Sequence, residues 1–251
     1  MGRSIAIVNQ KGGVGKTTTA VNLTAVLHDL GVRVLLCDFD PQANATSGLG
    51  LDKRRLKKTV YDVIINGASP ESAIVSTPYG DVLPASGSLA GAAVELTNLE
   101  RREHRLSDAL ESVQDRYDVI FVDCPPSLEL LTLNGLCAAQ SILVPVQCEY
   151  FALEGLSDLM STLRSVKRRL NPSLDIFGVL LTMFDGRTNF SAQVAQEVRR
   201  HFPGKVFTTV IPRNVRLAEA PSYGIPVTAY DRLSRGSAAY RALGEEVKLK
   251  L

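Results

Sequence analysis

The stretch NQKGGVGKTT, residues 9–18, constrains this chain more than any other part of its sequence. A short apolar run precedes the stretch and a helical pattern at 17–30 follows it, which is the strand–loop–helix setting of phosphate-binding loops. Its glycines, Gly12, Gly13 and Gly15, let the backbone approach phosphate oxygens because no Cβ stands in the way. The helix would add free N–H groups and the positive end of its dipole.

The loop departs in two ways from the usual phosphate-binding pattern, G-x-x-x-x-G-K-[ST]. Gln10 occupies the position of the first glycine, and Lys11 is an additional lysine five residues before Lys16. The physical requirements are still met, because Lys16 would reach the β- and γ-phosphates and the Thr17 hydroxyl would hold Mg²⁺. The sequence therefore predicts a nucleotide site and leaves the role of Lys11 open.

Aspartates stand at the ends of two apolar runs, where a phosphate site needs partners for its metal. Asp123 follows the run DVIFV, and the segment CDFDPQAN (37–44) carries Asp38 and Asp40. Side chains alternate along a strand, so Asp38 and Asp40 point to the same side. Ligands of open α/β sheets bind at this carboxyl edge. Spacing alone leaves open which of the two aspartates positions the attacking water and which serves the metal.

Short apolar runs alternate with longer helical patterns along the chain. Strands are predicted at 4–8, 32–37, 118–122, 141–146, 176–181 and 206–211. Helices are predicted at 17–30, 107–115, 128–139, 153–170, 191–202 and 237–248. Residues 51–106 are less regular and are expected to hold peripheral helices and a short strand at 82–84. This order indicates one α/β domain spanning 1–251, with a mostly parallel, twisted sheet and helices on both faces.

Composition disfavours several other classes of protein. The net charge of +2 is too small to indicate a nucleic-acid protein, so a DNA surface must come from local clusters. Four cysteines without a C-x-x-C pair, and three histidines, disfavour structural zinc and predict buried reduced thiols. An iron–sulfur cluster shared across a dimer stays open. No run approaches the ~20 apolar residues of a membrane span, and a cytoplasmic protein is expected.

Several segments together resemble the ParA/Soj group of deviant-Walker P-loop ATPases. They are KGGVGKTT, DFDPQAN, VDCPPS (122–127), PVQCEYFALEGL (145–156), LLTMFDGRTNFSAQV (180–194) and IPRNVRLAEAPSYGIPV (211–227). The resemblance runs essentially from end to end and fits the short chromosomal Soj type. It implies the deviant-Walker P-loop NTPase fold, an ATP hydrolase activity, and ATP and Mg²⁺ as cofactors.

The resemblance also implies roles by position. Lys11 matches a signature lysine that crosses an ATP-bound sandwich dimer and contacts the phosphates of the opposite subunit. A lysine donated in trans would offset the repulsion between two nucleotides. Asp40 matches the switch aspartate that positions the hydrolytic water, and Asp123 matches the Walker-B residue. The implied catalytic residues are Lys11, Lys16 and Asp40. The implied Mg²⁺ residues are Thr17, Asp38 and Asp123. The implied ATP-binding residues are Lys11, Gly12, Gly13, Val14, Gly15, Lys16, Thr17, Thr18, Pro212, Arg213 and Asn214.

The resemblance implies a chromosome-partitioning cycle associated with the nucleoid. ATP would drive homodimerisation and DNA binding without sequence preference, and a ParB-type partner would stimulate slow hydrolysis and release. Arg187 and Arg216 match the DNA-binding arginines. A helical cluster either adds to that patch or forms a solvated helix face; it consists of Arg164, Lys167, Arg168 and Arg169.

Three alternative functions share the same loop. A MinD-like membrane-cycling ATPase needs a C-terminal amphipathic helix with bulky apolar residues, which the ending YRALGEEVKLKL lacks. An iron–sulfur carrier related to nitrogenase reductase needs interface cysteines. Cys124 and Cys137 flank the site, but Cys124 directly follows Asp123 and is better explained by packing. A metabolic ligase needs a substrate pocket that the sequence does not identify.

Overall fold

The computed structural model describes residues 2–127, 129–149 and 152–251, and within them seven strands form one sheet. The strand order is β3-β4-β2-β5-β1-β6-β7, and every neighbouring pair is parallel except β3 with β4. The strands are β1 Arg3–Ile7, β2 Val34–Asp38, β3 Val75–Thr77, β4 Gly80–Leu83, β5 Val119–Asp123, β6 Ser141–Gln147 and β7 Asp175–Thr182. The prediction of a mostly parallel sheet is confirmed.

Helices connect the strands and cover the sheet. They are α1 Lys16–Asp29, α2 Asn44–Gly48, α3 Val60–Ile64, α4 Leu89–Leu96, α5 Arg105–Glu111, α6 Leu130–Ala138, α7 Ala152–Arg169, α8 Asn189–His201, α9 Arg216–Glu219, α10 Val227–Tyr230 and α11 Arg235–Lys248. Leu128, the predicted start of α6, and Tyr150 and Phe151 of the segment 145–156 lie outside the described residues. None of the described helices is long and apolar enough to cross a bilayer.

Two apolar clusters lie on opposite faces of the sheet, because successive strand side chains alternate. Ile5 and Ile7 of β1 belong to the cluster that includes Leu243 of α11. Ala6, between them, belongs to the other cluster with Leu159 of α7. The central strands are buried on both sides, which explains why they read as continuous apolar runs. The predicted two-sided cover is therefore confirmed.

The predicted strand at 206–211 does not form. This segment runs beside β7, where Val206 forms an isolated bridge with Val179; just beyond both segments, Pro212 forms a second isolated bridge with Phe184. Between the bridges, the backbone N–H groups of Thr208 and Thr209 donate to the Glu246 carboxylate at 2.8 and 3.0 Å. Glu246 lies on α11, so a side chain from the C-terminal helix takes the donors that a strand would have used.

The irregular region holds one more strand than the sequence predicts. The short strand expected at 82–84 is β4, Gly80–Leu83, and it pairs in parallel with β2. A second strand, β3, precedes it and forms an antiparallel edge. β3 has only three residues and none of them is fully buried, so it leaves no apolar run in the sequence. The peripheral helices expected here are α3 and α4.

Candidate nucleotide-binding site

The glycine-rich loop joins β1 to α1 at the carboxyl edge of the sheet. Gly13 and Gly15 have φ angles of +76° and +93°, in the left-handed region that favours glycine. A Cβ at Gly12 or Gly13 would meet no atom within 4 Å, so open space lies in front of the loop. The loop therefore has the shape of a cradle that a phosphate group could enter.

Two side chains that the sequence analysis missed fasten this loop to neighbouring strands. The Asn9 amide donates to the Pro145 carbonyl at 2.7 Å, and its oxygen accepts the Lys11 N–H at 3.0 Å. The Thr182 hydroxyl donates to the Val14 carbonyl at 2.8 Å. These bonds tie the loop to the ends of β6 and β7. The only sequence signal for them is a polar residue at the end of an apolar strand.

The two lysines of the loop have different surroundings. Lys16 is buried and its ammonium donates to the Lys11 carbonyl at 3.0 Å. Burial lowers the pKa of Lys16, while the negative charge of Asp123 acts in the opposite direction. The Lys11 ammonium forms an ion pair with Glu149, and both side chains are more than one-third exposed. Lys16 thus faces its own phosphate cradle, whereas the head of Lys11 lies at the surface.

Asp123 is a fully buried carboxylate at the end of β5. Neither of its oxygens has a hydrogen-bond partner of normal geometry among the described residues. Burial raises the pKa of Asp123 well above its ordinary value and Asp38 raises it further, whereas the neighbouring Thr17 hydroxyl lowers it. A buried, unpartnered carboxylate is costly, so it needs a bound group or water.

These groups fit a Mg²⁺ ion that is held mainly by nucleotide phosphates. Mg²⁺ usually keeps several waters and takes only one or two protein ligands in such sites. Thr17 at the start of α1 and Asp123 beside it could supply them. In the described part of the chain, no group of three or more His, Cys, Asp or Glu residues forms a separate metal cage.

Asp38 is already held by the protein. Its Oδ2 accepts the backbone N–H and the hydroxyl of Thr46, both at 2.7 Å, and its Oδ1 accepts the Asp40 N–H at 3.3 Å. Burial raises the pKa of Asp38 to about 6, against the effect of these bonds. Asp40 is half-buried, and its Oδ1 accepts the Gln42 N–H at 2.9 Å. The roles of Asp38 at the metal and of Asp40 at the water stay predictions.

A cavity of about 380 Å³ lies beside the loop. Its lining includes Gly15 and Thr18 together with Pro212, Arg213 and Asn214. The structure thus brings the three residues predicted near adenine next to the phosphate cradle. The cavity suits a flat base, because it lies within the 300–1,000 Å³ range of small-molecule sites and its lining is mostly apolar.

The two predicted DNA-contacting arginines lie on exposed segments near this edge. Arg187 follows β7, and its guanidinium bonds both oxygens of Asp185 at 2.9 and 2.7 Å. Arg216 begins α9 and pairs with Glu219 at 2.7 Å and with Asp231 at 3.2 Å. The alternative cluster is exposed on α7; its members are Arg164, Lys167, Arg168 and Arg169.

Comparisons with known proteins agree with this geometry. A family model described as an AAA domain matches residues 2–176. The sporulation initiation inhibitor protein Soj of Bacillus subtilis is 56% identical, over 98% of this chain and 98% of its own length. The chromosome partitioning protein ParA of Myxococcus xanthus is 52% identical, over 98% of this chain and 88% of its own length.

A solved structure has the same fold with a nucleotide bound. It is described as cobyrinic acid a,c-diamide synthase from Mycobacterium smegmatis with bound ADP and magnesium. Its sequence is 38% identical to this chain, the TM-score is 0.85, and the match covers 98% of this chain and 93% of that one. A nucleotide and magnesium in a similar fold agree with the cradle and the unpartnered carboxylate described above.

Proposed function

The chain belongs to the ParA/Soj family of P-loop chromosome-partitioning ATPases, and from that membership we propose an ATP-driven cycle of dimerisation, DNA binding and release. The observation that carries the proposal is the separation of the two lysines. Lys16 serves the cradle of its own subunit, while Lys11 has its head at the surface. There it is free to exchange Glu149 for the phosphates of a nucleotide on a second subunit, because an exposed ion pair contributes only about 0–1 kcal/mol.

Within one subunit, the residues around the loop have distinct tasks. The cavity beside Pro212 takes the base, and Lys16 with the loop N–H groups holds the phosphates. Thr17 and Asp123 would hold Mg²⁺, and the ion would neutralise negative charge on the phosphates. Asp40 orients the water that attacks the γ-phosphate. Asp40 lies in the segment 38–46, whose two ends are joined by the hydrogen bonds from Thr46 to Asp38. The position of Asp40 therefore depends on how this segment is held.

Dimerisation explains how ATP would control DNA binding. Arg187 and Arg216 contact phosphates, so they position the duplex without reading its sequence. One subunit makes few phosphate contacts and binds DNA weakly, whereas a dimer presents the arginines of both subunits to the same duplex. Hydrolysis, stimulated by a ParB-type partner, separates the subunits and releases the DNA. The protein would accordingly be cytoplasmic and associated with the nucleoid while ATP is bound.

The membrane-cycling alternative depends on the C-terminus. Leu249 and Leu251 are exposed after α11, with Lys250 between them. Among the described residues after α11, these two leucines are a much smaller apolar face than interfacial helices use. The ligase alternative rests on one structural relative at 38% identity, whereas relatives at 52–56% identity are named for partitioning or sporulation control. DNA partitioning is therefore the function that we propose.

The decisive experiment measures DNA binding by the purified protein with ATP, with ADP and without nucleotide. Unrelated duplexes are compared at two salt concentrations, and Lys11→Ala is measured beside the wild type. We expect binding with ATP only, indifferent to sequence, weakened by salt and lost in Lys11→Ala. Absence of DNA binding in every state, despite ATP-dependent dimerisation, would refute the proposal. ATP-dependent binding to anionic vesicles in place of DNA would support the membrane-cycling alternative.

A further inference from the structure

The segment 52–58, here called the basic turn, is strongly basic, as is the cluster at 164–169 on α7. Five of its seven residues are basic and one is acidic, which gives a net charge of +4. The whole chain has a net charge of +2, so the remainder is net −2. All the basic side chains of the turn are exposed; they are Lys53, Arg54, Arg55, Lys57 and Lys58. The basic turn is therefore one of the places where exposed positive charge that attracts a polyanion is concentrated.

The basic turn is held in place at both ends. Before it, Gly50 packs so closely on the segment around Gly224 that an added Cβ would lie 3.1 Å from the Gly224 carbonyl oxygen. Within it, the Asp52 carboxylate accepts the Arg54 N–H at 3.0 Å. After it, Thr59 begins α3 with a capping box. Because the backbone is already ordered, binding of a ligand would not have to offset the conformational entropy that is lost when a flexible segment becomes ordered.

Several cationic heads of the turn are available to a ligand. The side chains of Arg54 and Lys57 make no hydrogen bond or ion pair with any residue that the structure describes; the Arg54 bond to Asp52 uses only its backbone N–H. Arg55 has a weak ion pair with Asp52 at 3.4 Å, and its side chain is 87% exposed. Lys53 donates to the Gln42 carbonyl at 2.9 Å. The turn can thus offer two unengaged charges and a third that is only loosely paired.

The basic turn lies next to the segment that carries Arg216. Gly224, on which Gly50 packs, ends the helical turn Ala220–Tyr223 that directly follows α9. Arg216 is the first residue of α9, eight positions before Gly224. Eight residues of helical chain span about 12–16 Å. A duplex carries one charge per ~1.7 Å of its axis, so DNA held at Arg216 presents phosphates over the whole of that distance.

We propose that the basic turn is a second phosphate-contacting site for double-stranded DNA, added to Arg187 and Arg216 on the same subunit. This inference rests on the proposed function. Lysine and arginine heads on phosphates fix position without reading bases, which suits binding without sequence preference. A protein partner is less suitable, because such interfaces depend on buried apolar anchors. Leu56, the one apolar residue of the turn, is half-buried already.

The test neutralises the two unengaged heads in the full-length chain. We compare Arg54→Gln/Lys57→Gln with the wild type, with ATP and an unrelated duplex, over a range of salt concentrations. The matched control, Arg116→Gln/Lys248→Gln, removes the same charge at the opposite, amino edge of the sheet, where both residues are exposed. A dimer loses four phosphate contacts in the test variant, so the salt slope should become shallower by about 2 to 4. Affinity should fall at least several-fold, and the control should keep the wild-type slope.

A charge-preserving variant separates loss of contact from loss of structure. Arg54→Lys/Lys57→Arg should keep the wild-type slope, and the thermal midpoint of every variant is measured. If the wild type binds DNA and the glutamine variant keeps its slope, the inference is overturned and the proposed function stands. If the wild type fails to bind DNA with any nucleotide, the proposed function itself fails. Binding to anionic vesicles that needs the basic turn, with an unchanged DNA slope, would also overturn the inference.

Discussion

Thr46 shows, at the residue scale, what spacing in a sequence cannot reveal. The position of Asp38 at the end of an apolar run predicts that it lies at the carboxyl edge of the sheet, and β2 does end at Asp38. It does not show that Thr46 donates both its N–H and its hydroxyl to Asp38, or that its hydroxyl accepts the Ala85 N–H at 2.9 Å. These partners come from α2 and from Ala85, the second residue after β4, and no local pattern connects them with Asp38. The residue type could therefore be predicted, but its hydrogen-bond partners could not.

The titration of Asp38 leads to a prediction about stability. Burial raises its pKa to about 6 from an ordinary value of 3.8. Between these values the native state binds more protons than the unfolded chain, so the free energy of unfolding should decrease as pH rises through this window. The loss should approach about 3 kcal/mol, and Asp38→Asn should remove most of it. Urea unfolding of both proteins from pH 4 to pH 7, without metal or nucleotide, measures this.

The comparison uses the difference between the two proteins. Other titrating groups contribute about equally to both curves, so they cancel in that difference. Asp123 is the exception: the charge of Asp38 raises its pKa, so Asp38→Asn should also lower the pKa of Asp123. This change adds to the difference between the two proteins with the same sign. Stability curves that stay parallel over this pH range would contradict the assignment of a raised pKa to Asp38.

At the scale of elements, the sequence predicts buried strands well and edge structure poorly. β1, β5 and β6 are buried on both faces, and their apolar runs identify them within about one residue. β3 is short and partly exposed, so it lacks such a run. The segment 206–211 has an apolar run but does not form a strand, because the Glu246 carboxylate on α11 accepts two of its backbone N–H groups. A contact made nearly forty residues away in the chain overrides the local preference.

The packing of α11 on α1 gives a second prediction. Gly244 of α11 lies so close to α1 that an added Cβ would stand 2.2 Å from Cγ1 of Val26. Gly244→Ala should therefore destabilise the protein by about 1–3 kcal/mol, since α11 must move or Val26 must leave its rotamer. Chemical denaturation measures the change. Because α1 begins with Lys16 and Thr17, the affinity for nucleotide should also fall.

Gly91 supplies a matched control for this prediction. It lies in the exposed part of α4, where an added Cβ would meet only the Glu95 carboxylate oxygen at the end of that side chain, at 3.3 Å. Gly91→Ala should stabilise the protein by up to about 1 kcal/mol, because alanine is the better helix former. Opposite signs for the two substitutions would support close packing at Gly244. Two stabilising substitutions would show that α1 and α11 have room between them.

For the whole molecule, sheet register explains why the candidate site forms at all. Asp123 of β5 lies opposite Ile7 of β1 on one side and Asp38 of β2 on the other. The phosphate loop begins just after Ile7, so residues far apart in sequence meet at one point of the carboxyl edge. The residue types and the strand ends can be predicted from the sequence. The strand order determines which strand ends lie side by side, and no local sequence pattern contains that order.

The separate tasks that we propose for Lys11, Lys16 and Asp40 lead to a prediction about assembly, measured by sedimentation velocity and thermal unfolding with Mg²⁺ and ATP. Lys16→Ala should lose both nucleotide binding and dimerisation. Lys11→Ala should stay a monomer yet still be stabilised by ATP, by about 2.7 kcal/mol at a hundredfold excess over Kd. Asp40→Ala should form a dimer that persists, because its ATP is not hydrolysed.

Lys11→Ala is the informative member of this set. Its Glu149 ion pair is exposed, so the substitution should cost little stability in the absence of nucleotide. A monomer that still binds ATP would then show that Lys11 acts on the nucleotide of the other subunit. Dimerisation of Lys11→Ala at the wild-type ATP concentration would contradict a role in trans. Loss of ATP stabilisation in the monomer would instead place Lys11 in the phosphate site of its own subunit, beside Lys16.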